Sequence, residues 1–257
     1  MKGTLKLSGV VLRTVDYGES DRVVTLFTAE RGKVAAFARG ARASRRRFGG
    51  ALELFTLVLL EARERARTDL IDLESAAVVR AFPAIRGDLT RIACAAYACD
   101  LARSLVREGE PHPELLGLLL DYLARLDGSK ARPTVLRAYE LKALEAVGLM
   151  PRLSSCAACS RPFRGEDGRL AFDPGEGGVL CPSCAGRARE VRFLAADTAL
   201  ALSQLQQGGL SGAEAVPLTP GAGREAREAL AAFIEHQLGS RLESRRFLDE
   251  VGPMLEP

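Results

Sequence analysis

The sequence predicts an α+β multidomain protein: a small five-stranded β-barrel first, a helical domain after it, and a four-cysteine finger inserted among the helices. Three observations carry this. Residues 5–80 contain five short runs rich in Val, Leu, Thr and Phe, separated by polar turns. After Phe82-Pro83 the apolar spacing changes to about 3.6 residues, the helical period. Between residues 152 and 187 two Cys-x-x-Cys pairs stand 21 residues apart.

The predicted strands run from Leu5 to Val15, Arg22 to Thr28, Val34 to Ala38, Leu52 to Ala62 and Asp69 to Val79. The turn Asp16–Asp21 separates the first two, and Glu30-Arg31-Gly32-Lys33 is a hairpin-type turn. Arg39–Gly50 reads as a loop and Arg63–Thr68 as a charged turn. In the last strand Ile71 and Leu73 share one face, Asp72 and Glu74 the other. Five strands in so few residues favour a small barrel over an open sheet. A first helix follows, with Ile85, Leu89, Ile92, Ala96 and Cys99 on one face. Further helices are expected at Glu114–Leu126, from Pro133 to near Val147, and at 195–207 and 223–239. The domain boundaries are 1–80 for the barrel, 81–151 and 188–257 for the helices, and 152–187 for the finger.

Composition narrows the function classes. The chain has 257 residues, 47% hydrophobic and 27% charged, as in a globular protein with an ample core. No apolar run approaches the roughly 20 residues of a membrane helix. Lys2 and Lys6 are followed by Asp16 and Glu19 without a signal-peptide core, so a cytoplasmic protein is expected, with reduced thiols. The net charge of +3 is unevenly spread: residues 1–80 hold 15 basic and 10 acidic side chains. Arginine outnumbers lysine 31 to 5, a bias that fits a GC-rich genome, so only clusters of arginine are informative.

Cys156, Cys159, Cys181 and Cys184 have the spacing of two metal knuckles that together supply four thiolates to one tetrahedral ion. Zn²⁺ suits such soft ligands, one ion per chain is expected, and four thiolates leave no open position for catalysis. Leu170–Phe172 and Gly178–Leu180 read as a hairpin that brings the knuckles together. Cys94 and Cys99 lie in an apolar helix and read as small core residues. His112 and His236 lie near no nucleophile motif, and no phosphate-loop, esterase or zinc-protease signature is present. The chain is expected not to be an enzyme, although dispersed carboxylates leave a metal-dependent nuclease open.

From Arg31 to Leu52 there is no acidic residue and there are seven basic ones: Arg31, Lys33, Arg39, Arg42, Arg45, Arg46 and Arg47. Two readings stand at this point: a solvated loop, or a surface that grips phosphate through arginine forks. Beside the third strand of a small barrel, the second would border a groove for nucleic acid. Phe37 is expected in the core, and Phe48 is open between core and base stacking.

Together these features resemble the RecO family of bacterial DNA repair and recombination mediators. The resemblance rests on Val10–Thr28, on Gly32-Lys33 with Ala38–Arg42 and the arginine run, on the four cysteines, and on Leu238–Leu248. It implies an N-terminal OB-fold, a helical domain and a zinc finger. It implies binding of single- and double-stranded DNA at the nucleoid and annealing of complementary strands in the RecF pathway. The implied partners are RecR and single-stranded DNA-binding protein, with RecA as the protein finally loaded, and no hydrolysis is implied. The competing reading is a zinc-containing protein-interaction adaptor.

Overall fold

The computed structural model describes residues 4–65, 68, 70–163, 168–188 and 190–252. Lys2, Asp69 and parts of the expected charged turn and finger lie outside these residues. The chain divides into two compact units, Met1–Ser129 and Lys130–Pro257.

In the first unit, β1 (Leu5–Tyr17), β2 (Asp21–Thr28), β3 (Gly32–Ala38), β4 (Leu57–Glu64) and β5 (Ile71–Arg80) form a closed barrel in the order β1-β2-β3-β5-β4. β3 and β5 pair in parallel, and β1–β2, β1–β4, β2–β3 and β4–β5 pair antiparallel. This is the five-stranded barrel of an OB-fold. Period-two alternation fills it: Val24 and Leu26, Val34, Ala36 and Ala38, Val58, Leu60 and Ala62, and Ile71 and Leu73 point inward. On β1 the register with β2 slips between Val11 and Arg13. A bulge of this kind re-aims the side chains that follow it. Val11 is buried, whereas Arg13, Val15 and Tyr17 beyond the bulge are exposed.

The tight turn into β3 depends on Gly32, whose φ is +59°. A Cβ there would sit 1.8 Å from the Glu110 carbonyl oxygen, so backbone on the far side would have to move. Thr28 Oγ1 donates to the Gly32 carbonyl (3.0 Å) and accepts the Arg31 N–H (3.1 Å). Gly32→Ala is expected to cost about 2 kcal/mol or more, read as the shift in a urea unfolding midpoint. Gly18→Ala has a similar φ of +58° but faces open space, and is expected to lose roughly 1 kcal/mol from strain alone. Equal losses would contradict the steric account.

Several boundaries differ from the sequence reading. The run from Leu52 begins its strand only at Leu57, because residues 49–55 turn back and bury Leu52 and Phe55 against the barrel. The expected loop after β3 contains one helical turn, α1 (Arg45–Phe48). The helix expected after Pro83 is two: α2 (Pro83–Arg86) and α3 (Leu89–Leu105). Asp88 breaks them by capping α3, accepting the Arg91 N–H at 3.0 Å. Hydrogen bonds from the Thr90 side chain and the Arg91 backbone hold its carboxyl below the usual range. The predicted apolar face of α3 is also displaced. Leu89 is 51% exposed, while Ala93–Ala95 and Tyr97–Ala102 are buried nearly all round the helix, as small Ala and Cys side chains permit close packing. α4 (Pro113–Gly128) completes this unit. Ala84 N donates to Asp127 Oδ1 (2.8 Å), and Lys33 Nζ to the Arg103 carbonyl (3.2 Å), so helices and barrel are tied together.

In the second unit α5 (Pro133–Ala146) packs against α7 (Ala196–Gly212) and α8 (Pro220–Leu238). Between α5 and α7 lie β6 (Arg169–Asp173), β7 (Gly178–Leu180), the short α6 (Pro182–Ala185) and β8 (Arg192–Ala195). β6 and β7 form the expected hairpin, and β8 adds a third strand on the other edge of β6. α9 (Arg245–Val251) ends the described chain. Among the described residues no helix is long and apolar enough to cross a membrane.

Candidate metal centre and nucleic-acid interface

The first knuckle is a turn at Cys156–Ser160. The Cys156 carbonyl accepts the Ser160 N–H (2.8 Å), and Ala157 N donates to the Val179 carbonyl (2.8 Å), which ties the knuckle to β7. β7 itself is held where Gly178 lies against Arg152, and a Cβ there would meet the Arg152 carbonyl oxygen at 2.2 Å. The second knuckle forms as Pro182 starts α6, with Cys184 N and Ala185 N both donating to the Cys181 carbonyl (2.9 Å). The four Sγ atoms come within 4.8 Å of one another, and Cys159 and Cys181 sulfurs are 3.7 Å apart. Tetrahedral Zn–S bonds of about 2.3 Å put sulfurs roughly 3.8 Å apart, so the set fits an ion with little adjustment.

The electrostatics agree. Burial opposes ionisation of Cys156, but backbone N–H groups of Cys181, Cys159 and Ala158 outweigh it and hold the thiol below its ordinary value. Cys181 is lowered to about 6, first by the Ser183 hydroxyl and then by the Cys184 N–H. Cys184 is pushed up to about 12, chiefly by sharing a proton with Cys181. Four thiols packed this closely compete for negative charge, and a divalent cation relieves that competition. Cys99, by contrast, is buried in α3, and burial pushes its thiol far up.

The basic stretch falls into two groups. Arg31 pairs with Glu64 (2.9 Å), and Lys33 is occupied by the Arg103 carbonyl. The residues after β3 face solvent: Arg39, Arg42, Arg45, Arg46 and Arg47 are all exposed. Arg42 lies 3.7 Å from Asp16 and donates to the Glu19 carbonyl. Arg47 donates to the Arg39 carbonyl (2.7 Å) and to Ser44 Oγ (3.1 Å) and lies over the Phe48 ring, shaping the loop. Among the described residues no carboxylate pairs with Arg39, Arg45, Arg46 or Arg47. The loop is fastened to the β1–β2 turn through Gly40 N to Asp21 Oδ1 (2.7 Å) and Arg42 N to the Ser20 carbonyl (3.0 Å).

Phe37, expected in the core, lies outside it, and Phe48, left open between core and base stacking, is core. Phe48 is 3% exposed, because α1 turns it into the barrel core. Phe37 lies on the outward side of β3, between buried Ala36 and Ala38. The alternation of Val34, Ala36 and Ala38 could have revealed this. His112 precedes α4 without capping it through its side chain, and His236 is exposed on α8. Of the C-terminal arginines, Arg245 is buried against Asp249 (2.9 Å), while Arg241 reaches the same carboxylate at 3.0 Å.

Residues 1–82 match the family model "Recombination protein O N terminal", and residues 86–246 match "Recombination protein O C terminal". The chain belongs to the RecO family. It is 64% identical over 251 residues to the DNA repair protein RecO of Anaeromyxobacter sp. (strain K), with 98% of each chain covered. It is 46% identical over 244 residues to that of Myxococcus xanthus, covering 95% of this chain and 96% of the relative. The RecO of Symbiobacterium thermophilum is 35% identical over 247 residues, with the same coverage. The break between the two RecO family models falls where the barrel strands end and α2 begins.

Proposed function

We propose that this chain is a non-enzymatic DNA-binding mediator of recombinational repair. In this reading it binds single- and double-stranded DNA in the cytoplasm and anneals complementary strands. With RecR, it helps to load RecA onto strands covered by single-stranded DNA-binding protein. The observation that carries the reading is the exposed arginine group on residues 39–47, attached to an OB-fold barrel, in which Arg39, Arg45, Arg46 and Arg47 pair with no carboxylate among the described residues. Arginines placed there neutralise phosphates of two strands at once, lowering their repulsion while leaving base edges free to pair. Arg39, Arg45, Arg46 and Arg47 bear most of the contact, with Arg42 beside them. Arg31 and Lys33 add less, since each already holds an internal partner.

Cys156, Cys159, Cys181 and Cys184 hold one Zn²⁺ per chain, which stabilises the 152–187 module. With all four positions filled by sulfur, the ion has no catalytic part. The test mixes labelled complementary oligonucleotides with the purified chain and Mg²⁺. Duplex formation is expected to accelerate with both strands staying intact. Failure to bind either strand would favour a protein-interaction adaptor, and strand cleavage would favour a nuclease; both results overturn the proposal.

A further inference from the structure

The outer face of β1, β2 and β3 carries an aromatic cluster that the phosphate-binding reading leaves unused. Tyr17, at the end of β1, is 61% exposed. Its ring meets Phe37 edge-on, with centroids 5.8 Å apart. The Arg65 guanidinium, just after β4, covers the Phe37 ring at 5.6 Å. Val15, 46% exposed, and half-buried Val23 lie in register with Phe37 and extend the apolar surface.

We propose that Tyr17, Phe37 and Arg65 form a stacking platform for the unpaired bases of a single strand. This deepens the proposed function and rests on it. Rings and a guanidinium plane offer π-faces that any base can meet, which is how sequence-tolerant single-strand sites gain affinity. The position also suits the fold: in such barrels the face of strands two and three, with the loops after strands one and four, receives oligonucleotides.

Charge favours a polyanion. Three acids nearby are engaged, Asp16 by Arg22 (3.0 Å) and Arg42, Asp21 by Gly40 N, and Asp72 by Arg65 at 4.0 Å, while Glu19 in the β1–β2 turn is exposed. The Asp21–Gly40 bond joins the platform's edge to the arginine loop, so a strand with phosphates on Arg39 and its neighbours has bases within reach of Tyr17. Duplex DNA, with its bases already stacked, gains nothing there.

The test compares the full chain on a thymidine oligonucleotide of about 15 nucleotides, near the upper site size of one such fold, and on an abasic oligonucleotide of equal length and charge. Wild type is expected to bind the base-bearing strand about 5- to 100-fold more tightly. Tyr17→Ala with Phe37→Leu is expected to remove that preference while leaving abasic binding unchanged, and Tyr17→Phe to restore it. A second readout needs no variant. The chain has no Trp, and Tyr97, Tyr122 and Tyr139 are buried, so exposed tyrosine emission comes from Tyr17. The thymidine strand is expected to quench it and the abasic strand to leave it intact. Equal, salt-dependent binding of both strands by wild type overturns the platform while leaving the phosphate interface standing. Binding of neither strand overturns the proposed function and the platform with it.

Discussion

Replacing Arg45, Arg46 and Arg47 together by alanine is expected to flatten the salt dependence of single-strand binding. Each phosphate neutralised contributes about −0.7 to the slope of log K against log salt, so the triple variant should be shallower by about 2. Arg45 and Arg46 are exposed and hold no carboxylate among the described residues, so their truncation is expected to change stability by less than about 0.5 kcal/mol. Arg47 also braces the loop through the Arg39 carbonyl and Ser44. The Arg45→Ala/Arg46→Ala double variant therefore separates charge from loop shape, with an expected slope change of about 1.4. Arg31→Ala is the contrasting substitution. It breaks a pair with Glu64 and is expected to move the slope less than any of the three.

Loss of the metal is the second large effect. Metal analysis of protein purified without chelator is expected to find one zinc per chain. Cys156→Ser is expected to abolish it, because Cys156 is fully buried and its sulfur accepts the Cys181 N–H at 3.4 Å. Structural sites of this kind couple about 10–16 kcal/mol of binding to folding in isolated fingers, so the module should loosen outright. The buried apolar group around it is small: Cys156, Ala171, Leu180 and Cys181, with Phe163 and Val191 partly covering them. Protease cleavage between 152 and 187 and a lowered melting temperature are the readouts. Oligonucleotide binding through residues 39–47 is expected to survive, since that stretch belongs to the other compact unit. Unchanged protease resistance without zinc would contradict the structural role.

What was legible in the sequence was local. The two knuckles close over two residues, so their spacing announces them without knowledge of the fold. The barrel strands alternate, and Val34, Ala36 and Ala38 mark the inner face of β3 plainly. Long-range partners were harder to see. β8 is a strand because Arg169–Phe172 pairs with it, and its own Phe193 is 58% exposed. Phe48 is core because one turn of α1, braced by Arg47, swings it inward. Arg31 and Lys33 stood in the same acid-free run as Arg45–Arg47, but Glu64 and the Arg103 carbonyl reach them from distant segments. Tyr17 and Arg65 lie 48 residues apart, and only barrel closure brings both to Phe37.

The most direct measurement is a salt titration of wild-type binding to a single-stranded oligonucleotide. With Arg39, Arg42, Arg45, Arg46 and Arg47 each neutralising one phosphate, the predicted log–log plot is linear with a slope of about −3.5. Absence of binding, or affinity indifferent to salt, would contradict the central claim that the arginine loop on the barrel is a phosphate interface.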